Sequence, residues 1–322
     1  RFRPAVSVLE GWFRMKVLVT GGKGMVGRAV EATADDDDGV FYAASADADL
    51  RDAAACEALF ERVRPTHVLH LAARVGGVLQ NTRSIADFFL DNIRINIHVL
   101  DCARRAGVAK LVSLLSSCVY PDGIRLPLRE ADLHAGEPHP SNFGYAYAKR
   151  MLDVQSRACA RQYGVHFVCL IPNNIYGPHD NFHLDAGHVI PAMIRKIHAA
   201  KTNGVPAVLW GDGTPLREFT YSHDIGRALW WALRNYEGPP MNIGTDEEIS
   251  IRQAAETICR VLGYDAAKLE WDTNKPAGQH RKPTDTRRFR ASSNLAPMPF
   301  NEGIAEAVRW YTDHVPHVRG YP

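Results

Sequence analysis

Lys16-Val17-Leu18-Val19-Thr20-Gly21-Gly22-Lys23-Gly24-Met25-Val26-Gly27 joins a short apolar, β-branched run to glycines at every third position. Five such residues bounded by glycine read as a buried parallel strand. Glycines at 21, 24 and 27, after a strand and at the start of a helix, permit a tight turn. They also let the backbone approach a pyrophosphate, which the free N–H groups and dipole of a helix N-terminus favour. In isolation the triplet is an ordinary strand–helix turn. On the first strand of an alternating sheet it reads as a dinucleotide-binding loop.

That alternation continues. A helical stretch runs to about Ala34, followed by the acidic run Asp35–Asp38, a solvated loop, and a second strand near Val40–Ala43. Cys56, Leu59, Phe60 and Val63 have helical spacing within Asp52–Arg64, which stops at Pro65. His67–Leu71 reads as a strand, Phe88–Ala106 as a helix and Lys110–Ser116 as a strand. Tyr145–Tyr163 reads as a helix and Val165–Ile171 as a strand ended by Pro172. Strand and helix in turn, with short links, predict an α/β fold with a doubly wound parallel sheet of the Rossmann type. Beyond Tyr176-Gly177-Pro178 the rhythm breaks into scattered short helices rich in Pro, Gly and His, as expected of a second, smaller α/β domain. The expected division is residues 1–14 as an N-terminal extension outside the fold, 15–178 as the dinucleotide-binding domain and 179–322 as the substrate-binding domain. Some of the later segments are expected to return to the first sheet.

Composition sets bounds. In 322 residues, 46% apolar and 23% charged content suits about two globular domains. The 38 basic and 36 acidic side chains leave a net charge of +2, which argues against a dedicated nucleic-acid binder. No apolar run is long enough for a transmembrane helix. Six scattered cysteines without C-x-x-C spacing read as reduced thiols in a cytoplasmic protein, with neither a disulfide frame nor a metal site. Arg1–Arg14 lacks the apolar core of a secretory signal, and Met15 reads as the functional start.

The chemistry centres on Tyr145-Ala146-Tyr147-Ala148-Lys149. Residues four apart share a helix face, so phenol and ammonium are expected side by side, with the cation lowering a pKa normally near ~10. Ser116, at the carboxyl end of the preceding strand, is expected at the mouth of the cofactor crevice. With the G-x-x-G-x-x-G loop, Ser116, Tyr145 and Lys149 resemble the triad of the extended short-chain dehydrogenases/reductases that modify nucleotide sugars.

Longer segments narrow the resemblance. These are Ser116-Ser117-Cys118-Val119-Tyr120-Pro121, Asn142 through Arg150, Asn174-Ile175-Tyr176-Gly177-Pro178-His179-Asp180-Asn181-Phe182, Gly187-His188-Val189-Ile190-Pro191 and Trp210-Gly211-Asp212-Gly213-Thr214-Pro215-Leu216-Arg217-Glu218-Phe219. Together they resemble the GDP-L-fucose synthase family, from Lys16 to about Asp285. The resemblance implies a two-stage reaction on a GDP-linked 4-keto-6-deoxy hexose: epimerisation at C3 and C5, then reduction at C4 by NADPH. Protons α to a ketone are acidic, so one base, one acid and a stabilised enolate oxygen suffice. The resemblance makes Cys118 the base and His188 the acid, with Ser116 and protonated Tyr145 at the C4 oxygen. Lys149 is expected to tune Tyr145 and to hold the nicotinamide ribose.

The remaining cofactor contacts it implies are Gly21, Lys23, Gly24, Met25, Val26, Gly27, Asp49, Leu50, Leu71, Ala72, Ala73, Pro172, Asn174, Ile175 and His188. Asn174, Lys196, Trp210, Arg217 and Asp285 are implied for substrate, with Trp210 and Arg217 against guanine and diphosphate. Arg195, Lys201 and Arg217 make this lobe locally basic. The second strand ends in Ala43-Ala44-Ser45, with no acid to repel a 2′-phosphate, and Lys23 can bind one. Asp49 and Leu50 more plausibly meet the adenine. The family implies a homodimer built on helices flanking the sheet. Other readings stay open: a nucleotide-sugar 4-epimerase, a 3,5-epimerase without net reduction, a 4,6-dehydratase or a catalytically silent dinucleotide sensor. Dehydratases carry an Asp-Glu pair where this chain has Ser117-Cys118, and the intact triad argues against a sensor.

Overall fold

The computed structural model describes residues 15–35, 39–275 and 279–321, so the expectations for residues 1–14 and for Asp36–Asp38 lie outside the described residues. The first half alternates: β1 (Lys16–Thr20), α1 (Met25–Ala32), β2 (Gly39–Ala43), α2 (Ala53–Val63) and β3 (His67–His70). Then come α3 (Val78–Arg83), α4 (Ile85–Arg105), β4 (Lys110–Leu114), α5 (Phe143–Tyr163), β5 (His166–Pro172) and β6 (Asn174–Tyr176). The second half holds α6 (Val189–Asn203), β7 (Ala207–Trp210), β8 (Leu216–Tyr221), α7 (Ser222–Asn235), β9 (Met241–Ile243) and β10 (Glu248–Ser250). It closes with α8 (Ile251–Leu262), β11 (Leu269–Asp272), α9 (Arg287–Ser293) and α10 (Phe300–His314).

Six parallel strands form the main sheet in the order β2-β1-β3-β4-β5-β9. The strands are apolar on both faces because helices cover both. One face carries a core of Cys56, Leu59, Val99, Leu100 and Leu152 from α2, α4 and α5. The other carries Val30, Ile225, Leu229 and Leu233 from α1 and α7 against Val17, Val19, Leu69, Val112 and Leu170. The indole of Trp230 donates to the Val30 carbonyl at 3.0 Å, and a Cβ at Gly226 would lie 2.6 Å from the Ala29 oxygen, so α1 and α7 meet backbone to side chain. The chain leaves β1 toward β2 on one side and returns to β3 on the other. That reversal places a crevice at the carboxyl ends of β1 and β3, beside the glycine loop.

A second core of Ile190, Ile194, Ile197, Leu209, Phe219, Ile258, Ile304 and Tyr311 lies among α6, α8 and α10, with the sheet β10-β8-β6 and the pair β11-β7. The scattered short helices expected here are instead regular ones, 12 to 15 residues long in α6, α7, α8 and α10. Strands of three residues such as β6, β9 and β10 are too short to display a period in sequence, which hid the order. Two boundaries also move. β4 stops at Leu114, leaving Ser116 to cap a single 3₁₀ turn over Ser117–Val119, and Pro172 is the last residue of β5, at the site where no further N–H is needed.

Candidate active site

Each glycine of the loop has its own task. Gly21 takes φ +70°, and a Cβ there would sit 2.9 Å from the Ala72 backbone. Gly27 faces the Gly21 oxygen so closely that a Cβ would lie 2.5 Å away, which fixes α1 against the turn. Gly24 differs: a Cβ would meet only one atom, at 3.3 Å, leaving its Cα open beside the first turn of α1 at Met25 and Val26. The Thr20 hydroxyl, hydrogen-bonded to buried His70 at 2.8 Å, accepts the N–H groups of Leu71 and Ala72 and binds loop to crevice wall. Burial holds that imidazole neutral, its pKa pushed down to about 3, with the Lys149 cation adding to the effect. Lys23 is 48% exposed, with its ammonium 3.9 Å from Glu31 and 6.0 Å from the Tyr42 ring centre. Asp49 is committed to Arg51 at 2.7 Å, and that hydrogen bonding holds its carboxyl down at about 2. Buried Leu50 offers its carbonyl to His98 at 3.0 Å. Ala73 completes the half-buried segment after β3.

The triad assembles at the mouth of the crevice. Tyr145 is hydrogen-bonded to Ser116, whose oxygen also accepts the Cys118 N–H at 3.3 Å. Lys149 is buried, and its ammonium donates to the Leu114 carbonyl at 2.8 Å. Burial lowers that amine to about 8. The expected lowering of the Tyr145 pKa is corrected here. Burial pushes the phenol up, Cys118 adds to the rise, and the Ser116 hydrogen bond only partly opposes it. Cys118 is half-buried and lies within the electrostatic reach of both Tyr145 and Arg217. Burial lowers the Arg217 guanidinium, and Cys118 opposes the change.

His188 sits at the N-cap of α6. Loss of water around the half-exposed ring lowers its pKa, but Asp180 overrides this and the net shift is upward. At 3.9 Å between Nδ1 and Oδ1 the contact is an ion pair longer than a hydrogen bond. A Cβ at Gly77 would lie 3.4 Å from the Gly187 oxygen, so the loop before α3 and the loop before α6 face one another.

Further out, the Lys196 ammonium lies 4.9 Å from the Trp210 ring centre. Arg217 donates to the Leu216 carbonyl at 2.7 Å, Asn174 donates to the Glu218 carbonyl at 2.9 Å, and Ile175 packs on the α7 core. Asp285 pairs with Arg287 at 2.5 Å, which holds its carboxyl at about 2, and its N–H donates to Leu128. Sequence reasoning missed two features. Lys275 lies 5.8 Å from the same Trp210 ring. Buried Glu218 accepts from Asn173, the Thr284 N–H and the Thr284 hydroxyl (2.6 Å), and burial raises its carboxyl to about 7. Glu218 directly follows Arg217, so strand alternation alone would have turned it inward.

Residues 17–244 match the NAD dependent epimerase/dehydratase family. The chain is 42% identical over 306 residues to GDP-L-fucose synthase of Dictyostelium discoideum, covering 92% of this chain and 95% of that one. To GDP-L-fucose synthase of Escherichia coli it is 32% identical, covering 95% and 99%. The similarity thus extends past Asp285, where the resemblance read from the sequence ends. A crystal structure of a GDP-L-fucose synthetase from Naegleria fowleri bound to NADP superposes with a TM-score of 0.88 at 40% identity, covering 94% of this chain and 95% of that one. With these relatives and this crevice, the chain belongs to the NAD dependent epimerase/dehydratase family, in its GDP-L-fucose synthase branch.

Proposed function

We propose that the chain epimerises GDP-4-keto-6-deoxy-D-mannose at C3 and C5 and reduces C4 with NADPH, giving GDP-L-fucose. The observation that carries this reading is the convergence of Ser116, Cys118, Tyr145 and Arg217 at the crevice mouth. Cys118 takes the α-protons, and His188, its pKa raised by Asp180, returns them on the opposite face. Ser116 and the Tyr145 phenol bind the C4 oxygen while charge builds there, and Tyr145 then gives that oxygen its proton. Arg217, with Trp210 and Lys196, holds the guanosine diphosphate; Asn174 and Asp285 complete the substrate contacts.

The residues fit a phosphorylated dinucleotide. The open Cα of Gly24 admits a pyrophosphate at the α1 N-terminus, and half-exposed Lys23 is placed for a 2′-phosphate. Gly21, Met25, Val26, Gly27, Asp49, Leu50, Leu71, Ala72, Ala73, Pro172 and Ile175 line the rest of the path, with Lys149 at the nicotinamide ribose. NADPH, when bound, supplies hydride to C4. The chain works as a homodimer through α4 and α5, where Phe89 (36%), Leu90 (45%), Ile97 (47%) and Val154 (39%) are exposed apolar side chains. The division of labour falls at about residue 178, dinucleotide before it and sugar nucleotide after it. We infer a cytoplasmic location from the six free, scattered thiols.

Loss of reduced-nicotinamide absorbance with the GDP-linked 4-keto-6-deoxy hexose, and product identification by NMR, test the reading. Turnover is expected with the GDP sugar and not with its UDP or dTDP analogue. Equal turnover of all three would sink the guanine assignment.

A further inference from the structure

The segment between β6 and α6 is held with unusual firmness around one carboxylate. His179 takes a left-handed φ of 63°, and its ring lies 4.6 Å from Trp310 of α10. Phe182 lies 6.0 Å from Trp310 and 4.7 Å from Tyr311. The Phe182 N–H donates to the Arg319 carbonyl at 2.9 Å, and its own carbonyl accepts from Arg195 at 3.0 Å. A non-glycine residue in that backbone region persists only where its surroundings enforce it. Between these anchors sits Asp180, 3% exposed. Its Oδ1 accepts the Asn181 N–H at 2.7 Å and lies 3.9 Å from His188 Nδ1. Its Oδ2 is buried with no hydrogen-bond partner among the described residues. A carboxylate oxygen removed from water and left unpaired is costly, and the His188 ring is the cationic partner this carboxylate faces.

We propose that Asp180 is the positioning residue for His188, its carboxylate facing Nδ1 as an ion-pair partner so that Nε2–H delivers the proton during epimerisation. This rests on the reading of His188 as the acid. Two charged groups act on the ring: Asp180, which favours the imidazolium, and Arg319, which opposes it. The Asp180 charge therefore keeps the acid loaded to higher pH. Its loss moves the deprotonation downward, so the alkaline limb of proton exchange shifts to lower pH. The contacts of His179 and Phe182 with α10 hold the segment that carries the carboxylate, which gives a task to a segment beyond Asp285.

The test combines two readouts on the full chain: ¹⁵N titration of the His188 ring, assigned by its loss in His188→Gln, and the pH profile of solvent-deuterium entry at C3 and C5. Asp180→Asn should lower the ring pKa by about one unit or more, as expected for removing an opposite charge at this range. The alkaline limb of exchange should move by the same amount. An unchanged ring pKa, or a limb that fails to follow it, overturns the proposal while leaving His188 as the acid. Wild-type exchange in His188→Gln instead removes His188 from the chemistry, and the proposal with it. If Asp180→Asn does not fold, the wild-type ring still decides the matter. A neutral His188 held by the carboxylate keeps its proton on Nδ1, and an Nε2–H tautomer overturns the proposal.

Discussion

Tyr145 is 8% exposed with a thiol at its side, so it resists ionisation and carries its proton through neutral pH in the ligand-free chain. That is the state a proton donor to the C4 oxygen needs. Lys149 donates to the Leu114 carbonyl, and its cation acts on His70. Cys118 and Tyr145 therefore divide two chemistries. Cys118→Ser substitutes a hydroxyl too weakly acidic to serve as a base, so deuterium entry at C3 and C5 should fall ~10²–10⁴-fold while hydride transfer survives. Tyr145→Phe should do the reverse, exchanging protons while NADPH stays unspent. NMR exchange beside nicotinamide absorbance reads both, and wild-type exchange in Cys118→Ser would reduce Cys118 to a packing residue. The triad was legible in the sequence because spacing of four on a helix and the end of a strand are local facts. The direction of the Tyr145 shift was not, since burial comes from elements remote in sequence.

β1 and the strand–turn–helix of the glycine loop were legible because their geometry is written within a dozen positions. Lys23, the cation of that loop, gives the element its test. Lys23→Ala should raise the NADPH KM about 10- to 100-fold and leave the NADH value nearly unchanged, since a charge-assisted contact is worth about 1.5–3 kcal/mol. Steady-state kinetics with both cofactors checks this, and equal weakening would clear Lys23 of any contact with the 2′-phosphate. The elements after β6 were harder to read. β9 has three residues and gains its place by pairing with β5, and α7 is amphipathic toward a sheet made a hundred residues earlier. Asp180 stood in a quoted motif without a role, because its meaning depends on Trp310 and Arg319.

At the scale of the whole molecule, α4 and α5 lie side by side, with the Gln155 amide donating to the Ile97 carbonyl at 3.4 Å, and their exposed apolar residues form the proposed dimer face. Light scattering should give twice the chain mass, and Phe89→Asp with Ile97→Asp should give monomers. A monomeric wild type would refute the interface. The main sheet also imposes an order on synthesis. β9 completes the main sheet and α7 covers it, but both are made after α6, β7 and β8, so Pro172 waits for its neighbour Ile243. At a ribosomal pace of about 5–20 residues per second, those roughly seventy residues take about 4–14 seconds. Until α7 is made, Val17, Val19, Leu69 and Val112 have only α1 beside them, so the nascent chain offers chaperones a half-covered sheet face until Asn235 emerges, and an unpaired β5 edge until Ile243 does.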